Sequence, residues 1–173
     1  IKSNKQIGLL GINIGPNKDS DDRLGDYLDC FETFQSVADY ITINISSPNT
    51  EDLRNFHDQS KLNKLLESIN KKKQNLGSKI PIAVKVSPDI DEKEIKQIAE
   101  VLLSNKIEAV IISNTSDSSR ENLSNILKHQ KGGISGKPIE EKSTELINKF
   151  YKVLNGRILS LIHISEPTRH ASI

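Results

Sequence analysis

Tryptophan and methionine are absent from the sequence, and cysteine occurs once, as Cys30. A single thiol excludes an intramolecular disulfide and suits a reducing compartment. No stretch approaches the roughly 20 apolar residues that a membrane-spanning helix needs. The opening IKSNKQIGLL lacks the pattern of a signal peptide. Neither sign of charge is in excess: 24 Lys and Arg stand against 23 Asp and Glu, for a net charge of +1. That balance leaves no electrostatic footprint for nucleic acid, and none is expected as a partner. The first residue is Ile1 rather than Met, so the chain reads as truncated at its N-terminus. At 173 residues it can enclose one core or form part of a larger one.

What is present is an alternation of strand-like and helix-like runs. IGLLGINI (7–14), YITINIS (40–46), IPIAVKV (80–86) and EAVIIS (108–113) read as strands. Helices are expected over 26–38, about 60–75, 91–104 and 140–154, with a short one near 120–128. The strands are continuous apolar, β-branched runs, the pattern of strands covered on both faces. Asp91 can cap its helix, with Glu94 three residues on as the second half of a capping box. Strands alternating with helices imply βαβ units and a parallel sheet. Such units build either a doubly wound sheet or a (β/α)8 barrel.

The strand ends favour the barrel. Asn13 closes the first strand, Ser46 to Thr50 follow the second, Lys85 ends the third, and Ser113 to Ser116 follow the fourth. In a barrel these carboxyl ends converge on one mouth, where such enzymes keep their active sites. A doubly wound sheet concentrates binding at its switch point, and GINIG lacks the spacing of a dinucleotide-binding turn. The fold expected is therefore α/β, a partial (β/α)8 barrel made of central βα units.

Several side chains could carry chemistry. Lys85, in AVKVSPD, either snorkels from a strand end to solvent or faces an electron-rich partner, because a buried ammonium must be compensated. Ser47 precedes Pro48 and is more often a turn residue. It has no evident histidine partner, since His57 lies in a polar loop and reads as solvated, so a hydrolase triad is not indicated. A serine buried beside a developing charge could still accept a proton. Asn13, Asn44, Asn49 and Asn114 gather at strand ends, and converging amides satisfy a planar heterocycle with alternating C=O and N–H groups. GGISGKP (132–138) is a glycine-rich loop leading into a helix, a backbone able to approach a ligand closely. The runs 19-DSDDR-23 and 71-KKK-73 read as solvated faces. His163, Glu166 and His170 carry little weight as metal ligands, and no metal site is expected.

Taken together, GINIGPNK, INISSPNTEDLR, AVKVSPD, ISNTS and GGISGKP resemble the dihydroorotate dehydrogenases, specifically the class 2, quinone-reducing branch. The resemblance runs over about residues 8–158 in the family's order and spacing. It implies an FMN-containing (β/α)8 barrel that oxidises dihydroorotate to orotate in pyrimidine (UMP) synthesis. On that basis Ser47 corresponds to the base that takes the C5 proton; class 1 members carry cysteine there. Asn44, Asn49, Thr50, Asn114 and Thr115 correspond to substrate contacts. Asn13, Asn44, Lys85, Ser113 and Gly136 correspond to FMN contacts. The implied acceptor is ubiquinone or menaquinone. The implied setting is a monomer held peripherally at the cytoplasmic face of a bacterial inner membrane, or at the mitochondrial inner membrane, through an N-terminal segment not included in this sequence.

The sequence departs from the family at three places. Pro16 replaces the usual lysine in GINIGPNK, the upstream strands are lacking, and 159-LSLIHISEPTRHASI-173 does not follow the family's phosphate-binding continuation. The last reads as a sequencing or frame artefact, so residues 1–158 are taken as barrel and 159–173 as a tail outside it. Two other readings stand beside the enzyme: an inactive barrel fragment or binding module that keeps the motifs, and a different phosphate-binding barrel enzyme such as an isomerase. Yellow flavin bound to the parent protein separates the first reading from both.

Overall fold

The computed structural model describes residues 8–47, 53–118, 120, 123 and 132–162, with Arg54 and residues 160–162 described in backbone only. Among the described residues five strands alternate with four helices: β1 (Gly11–Ile14), α1 (Arg23–Phe34), β2 (Tyr40–Asn44), α2 (Gln59–Asn75), β3 (Ile82–Val86), α3 (Glu92–Ser104), β4 (Ala109–Ile112), α4 (Glu140–Leu154) and β5 (Leu159–Ile162). Single turns of 3-10 helix precede α2 (Leu53–His57) and α4 (Lys137–Ile139).

All four strand pairings are parallel, and the strand order is the chain order, β1-β2-β3-β4-β5. A doubly wound sheet would reverse its order at a switch point. Here each helix packs on the next, α1 on α2, α2 on α3 and α3 on α4. An unreversed parallel sheet beside one sequential row of helices is an arc of a (β/α)8 barrel.

The two faces of the sheet follow the period of two expected of strands. Ile41, Ile43 and Ile45, then Ile82, Val84 and Val86, then Val110 and Ile112 lie in the buried core with Phe31, Leu66, Ile98 and Phe150 of the helices. Burying each such side chain contributes about 1.5–3 kcal/mol. The opposite face carries Asn13, Thr42, Ala83 and Ala109 in one register row, and Asn44 beside Lys85 and Ile111 in the next. Gly11 faces Tyr40 across β1 and β2. A Cβ at Gly11 would fall 2.1 Å from Tyr40 Cζ, so the tyrosine ring lies over this glycine and would have to move for any side chain there.

The local signals explain the helix ends. Asp91 and Glu94 form the reciprocal capping box at α3. Asp58 accepts from the Ser60 and Lys61 amides, both at 3.1 Å, at the start of α2. α1 begins earlier than expected because Asp22 caps it, accepting from Gly25 N–H at 2.9 Å. Asp19, Asp21 and Asp22 are exposed, yet that acidic run also starts a helix. The 71–73 lysines correct the solvated reading more sharply. Lys72 pairs with Glu32 of α1, and Lys73, only 17% exposed, pairs with Glu108 at 3.1 Å. Glu108 also accepts from Ile82 N–H at 2.9 Å, which pins the start of β3 beside β4.

His57 is a second correction. It is buried, because the turn that carries it is drawn into the core by buried Leu53 and by Phe56, whose ring packs edge-on to Tyr27 at 5.8 Å. A third concerns the end of the domain. Leu159–Ile162 pairs with β4 as β5, so the sheet extends four residues past Ile158. Of the helix expected near 120–128 only Arg120 and Leu123 are described, neither of them helical; the rest lies outside the described residues, as do residues 163–173.

Candidate active site

The mouth is built where β1 to β4 end. Asn44 is the last residue of β2, and its backbone carbonyl accepts from the Tyr27 hydroxyl at 2.6 Å. Tyr27 is fully buried in α1, and burial raises its hydroxyl well above the ordinary tyrosine pKa, so the proton stays in place for this bond. The strand end that presents Asn44 is therefore supported from the helix layer.

On the other side of the strand, Asn44 Oδ1 accepts from Ser46 N–H at 3.2 Å and from Ser46 Oγ at 2.9 Å. Asn114, two residues beyond β4, donates through Nδ2 to Ser46 Oγ at 3.0 Å and to Asn44 Oδ1 at 3.4 Å. Its own Oδ1 accepts from Thr115 N–H at 2.8 Å, and its backbone amide donates to Val86 C=O of β3 at 2.9 Å. The Asn114 amide is thus held in one orientation. Among the described residues the Asn44 side chain bonds only through Oδ1.

Lys85 lies between these two amides in the strand order, paired in register with Asn44. It is half-buried, and burial pulls its pKa below the ordinary lysine value. Among the described residues it has no ion-pair partner. A half-enclosed ammonium without a carboxylate is costly unless something electron-rich faces it. Asn13 is exposed at the end of β1, and Ser47 is half-buried directly after Ser46.

Ser113 is buried at the end of β4, where the Ile112–Ser113 peptide is cis. Its Oγ donates to Asn114 C=O at 3.1 Å and lies 3.2 Å from Ser143 Oγ of α4. Gly136 enters the turn before α4 with φ of 76°, a left-handed value that suits glycine. Of the residues singled out from the sequence, Asn44 and Asn114 are hydrogen-bonded to each other, Lys85 is in register with Asn44, and Ser113 and Thr115 adjoin Asn114 in the chain. Ser47 follows Ser46, Asn13 lies in β1, and Gly136 lies in the turn before α4. Asn49 and Thr50 lie outside the described residues. Ser46, part of the polar cluster that follows the second strand, is the bridge between the two amides. Tyr27 reads in the sequence as an ordinary helix residue, and its part in the network is not legible there.

Asp89, after β3, was passed over as well. Its carboxylate accepts from Ser116 Oγ at 2.6 Å, Ser118 Oγ at 2.7 Å, Lys142 Nζ at 2.5 Å and Asp117 N–H at 3.1 Å. Burial alone would raise its pKa. The Lys142 bond, helped by the two hydroxyls and the amide, instead holds it far below the usual carboxylate range. Among the described residues no cluster of His, Cys, Asp and Glu could hold a metal.

The sequence matches the family described as Dihydroorotate dehydrogenase over residues 1–163. It is 42% identical over 165 residues to a protein of Acinetobacter baylyi named Dihydroorotate dehydrogenase (quinone), covering 91% of this chain and 49% of that one. A protein of the same name from Teredinibacter turnerae is 44% identical over 155 residues, covering 86% and 46%. In three dimensions the chain is similar to the crystal structure of DHODH from Eimeria tenella in complex with ferulenol. That likeness has a TM-score of 0.86 at 29% identity and covers 89% of this chain and 46% of the other. The chain spans about half the length of the curated relatives it matches. With an unreversed parallel arc, amides gathered at its mouth and this sequence match, the chain belongs to the dihydroorotate dehydrogenase family.

Proposed function

We propose that this segment forms the substrate-facing and flavin-facing part of a quinone-dependent enzyme that oxidises dihydroorotate to orotate in pyrimidine synthesis. The observation that carries the reading is the joining of Asn44, Ser46 and Asn114 across the end of β3, above a half-buried Lys85. Such a site offers amide donors and acceptors to a planar ring and a cation to a group that gains electrons.

The donor set fits a flavin. Lys85 is an unpaired, partly desolvated ammonium among the described residues, and small Ala83 and Ala109 flank it in the row below. Asn13, Asn44, Lys85, Ser113 and Gly136 would hold FMN. When bound, FMN supplies an acceptor for the two electrons and hydrogen that leave the substrate. The chain's own residues do the rest. Ser47 takes the proton from C5, and Asn44 and Asn114, with Asn49, Thr50 and Thr115, fix the ring and stabilise the charge that develops on it. Donors already locked in place need not rearrange as that charge appears. Lys85 offsets the charge of the reduced cofactor.

The acceptor in this reading is ubiquinone or menaquinone, in line with the names of the relatives. Peripheral membrane association of a monomeric enzyme belongs to the same proposal. No helix among the described residues is long and apolar enough to cross a membrane. The barrel portion is taken to include β5. The test is turnover: the full-length protein that carries this segment, loaded with FMN, should convert dihydroorotate to orotate with a short-chain quinone as acceptor. Flavin-loaded protein that leaves dihydroorotate unchanged would overturn the reading.

A further inference from the structure

The loop after β4 carries Asn114 and Thr115, and its local bonds are short-range, from Thr115 N–H to Asn114 Oδ1 at 2.8 Å and from Ser118 N–H to Ser116 Oγ at 3.2 Å. Further bonds tie it to other elements. Ser116 exchanges two backbone hydrogen bonds with Ile134 of the glycine-rich loop, at 3.0 and 2.6 Å. Next to that bridge, Gly133 lies so close to Thr115 that a Cβ there would fall 1.8 Å from Thr115 Oγ1. Asp89 then gathers Ser116 to Ser118. Its Oδ1 takes Ser116 Oγ, Ser118 Oγ and Lys142 Nζ, and its Oδ2 takes the Asp117 amide. One carboxylate thereby links the loop after β3, the loop after β4 and helix α4. The Asp89 side chain is only 11% exposed, while that of Lys142 is 38% exposed, so the carboxylate is the enclosed member of the cluster.

We infer that Asp89, paired with Lys142, is a positioning residue: it holds the loop after β4 so that Asn114 and Thr115 meet the substrate. The inference rests on the proposed function for the identity of the substrate, while the clamp itself rests on the geometry alone. Asp89 touches neither Asn114 nor Thr115 through any bond described above, so it acts through Ser116 and Asp117. An anion bonded to four donors is difficult to replace, because the amide of asparagine keeps one acceptor and adds N–H groups that face other donors. Displacing a binding group by about 1 Å can cost up to 10²-fold in rate.

The experiment compares Asp89→Asn and Lys142→Met with the parent in the full-length, flavin-loaded protein. Amide hydrogen exchange should quicken by about tenfold or more at Ser116 and Ile134, while the amides of β2 and β3 keep their protection. The KM for dihydroorotate should rise by roughly tenfold, with kcat changed much less and flavin content unchanged. Lys142→Arg should restore most of the affinity, since it keeps the cation. Unchanged loop exchange in both variants would overturn the inference. So would a general loss of protection and of flavin with no selective rise in KM, the mark of a merely structural residue. If the parent does not oxidise dihydroorotate, the proposed function fails, and the exchange measurement still decides whether the clamp exists.

Discussion

Asn114, at the end of β4, donates to Ser46 Oγ, beyond the end of β2, across a distance of 3.0 Å. The two strands are not neighbours, since β3 lies between them. Adjacent strands are about 4.8 Å apart, so this bond bridges a gap that no ladder bond can span. It closes a strap of side chains over the end of β3, where Lys85 sits beside Asn44 in register. Amides joined in this way are oriented before any ligand arrives.

The serine after the strap is the first residue to test. In the full-length protein, Ser47→Ala should lower turnover by about 10² or more, the range for loss of a general base, while the protein stays yellow. Ser47→Cys should keep part of the activity, because a thiolate can also take the proton. Steady-state turnover beside flavin absorbance reads both outcomes, and normal turnover in the alanine variant would remove Ser47 from the chemistry.

Lys85 should reveal a trade between stability and function. Burial lowers its pKa from the ordinary 10.5, so the folded chain binds fewer protons here than the unfolded chain as pH rises towards that value. Stability should therefore increase with pH between the lowered pKa and about 10.5, and the cost of the charge should be fully present below the lowered pKa. Lys85→Met removes that cost. The flavin-free variant should melt no lower than the parent and lose the pH slope, yet retain FMN poorly and be reduced slowly. Thermal melts across the alkaline range and flavin titration check both halves.

Tyr27→Phe deletes the hydroxyl that donates to Asn44 C=O. The ring remains packed, so the loss should be that of one sheltered hydrogen bond, roughly 0.5–1.5 kcal/mol. Denaturant unfolding should show this as a lower midpoint with an unchanged slope. Substrate affinity should fall as well, because the strand end that presents Asn44 loses its support.

Much of this was legible in the residues themselves. Alternating β-branched runs and amphipathic helices announced parallel βα units, and the Asp91–Glu94 pair located the start of α3. Polar groups at the ends of four successive strands pointed to a barrel mouth, and the unreversed strand order agrees. The cross-links were not legible, because they depend on which loops meet. Nothing near Asp89 in sequence shows that Ser116 and Lys142 will converge on it from 27 and 53 residues away. His57 misled for a similar reason: a polar neighbourhood in sequence says little when Leu53 and Phe56 draw the turn inward. Leu159–Ile162 looked foreign in its motif, yet it is apolar enough to pair as a strand.

The 173-residue segment by itself should behave differently from a full-length enzyme. Among the described residues β1 and β5 each pair on one side only, and Leu9 and Leu159, 81% and 62% exposed, lie at those two edges. Unpaired strand edges template association. Gel filtration should show aggregation and no flavin absorbance, with no dye reduction by dihydroorotate. A soluble monomer carrying stoichiometric FMN would contradict this.

Whether this mouth holds dihydroorotate for oxidation is decided by one anaerobic mixing experiment. Flavin-loaded full-length protein is mixed with dihydroorotate without quinone, and the flavin absorbance is followed. The flavin should bleach in step with the formation of one orotate per flavin, slowed by about 10² or more in Ser47→Ala. Flavin that keeps its colour in the parent, or bleaches equally fast in Ser47→Ala, would contradict it.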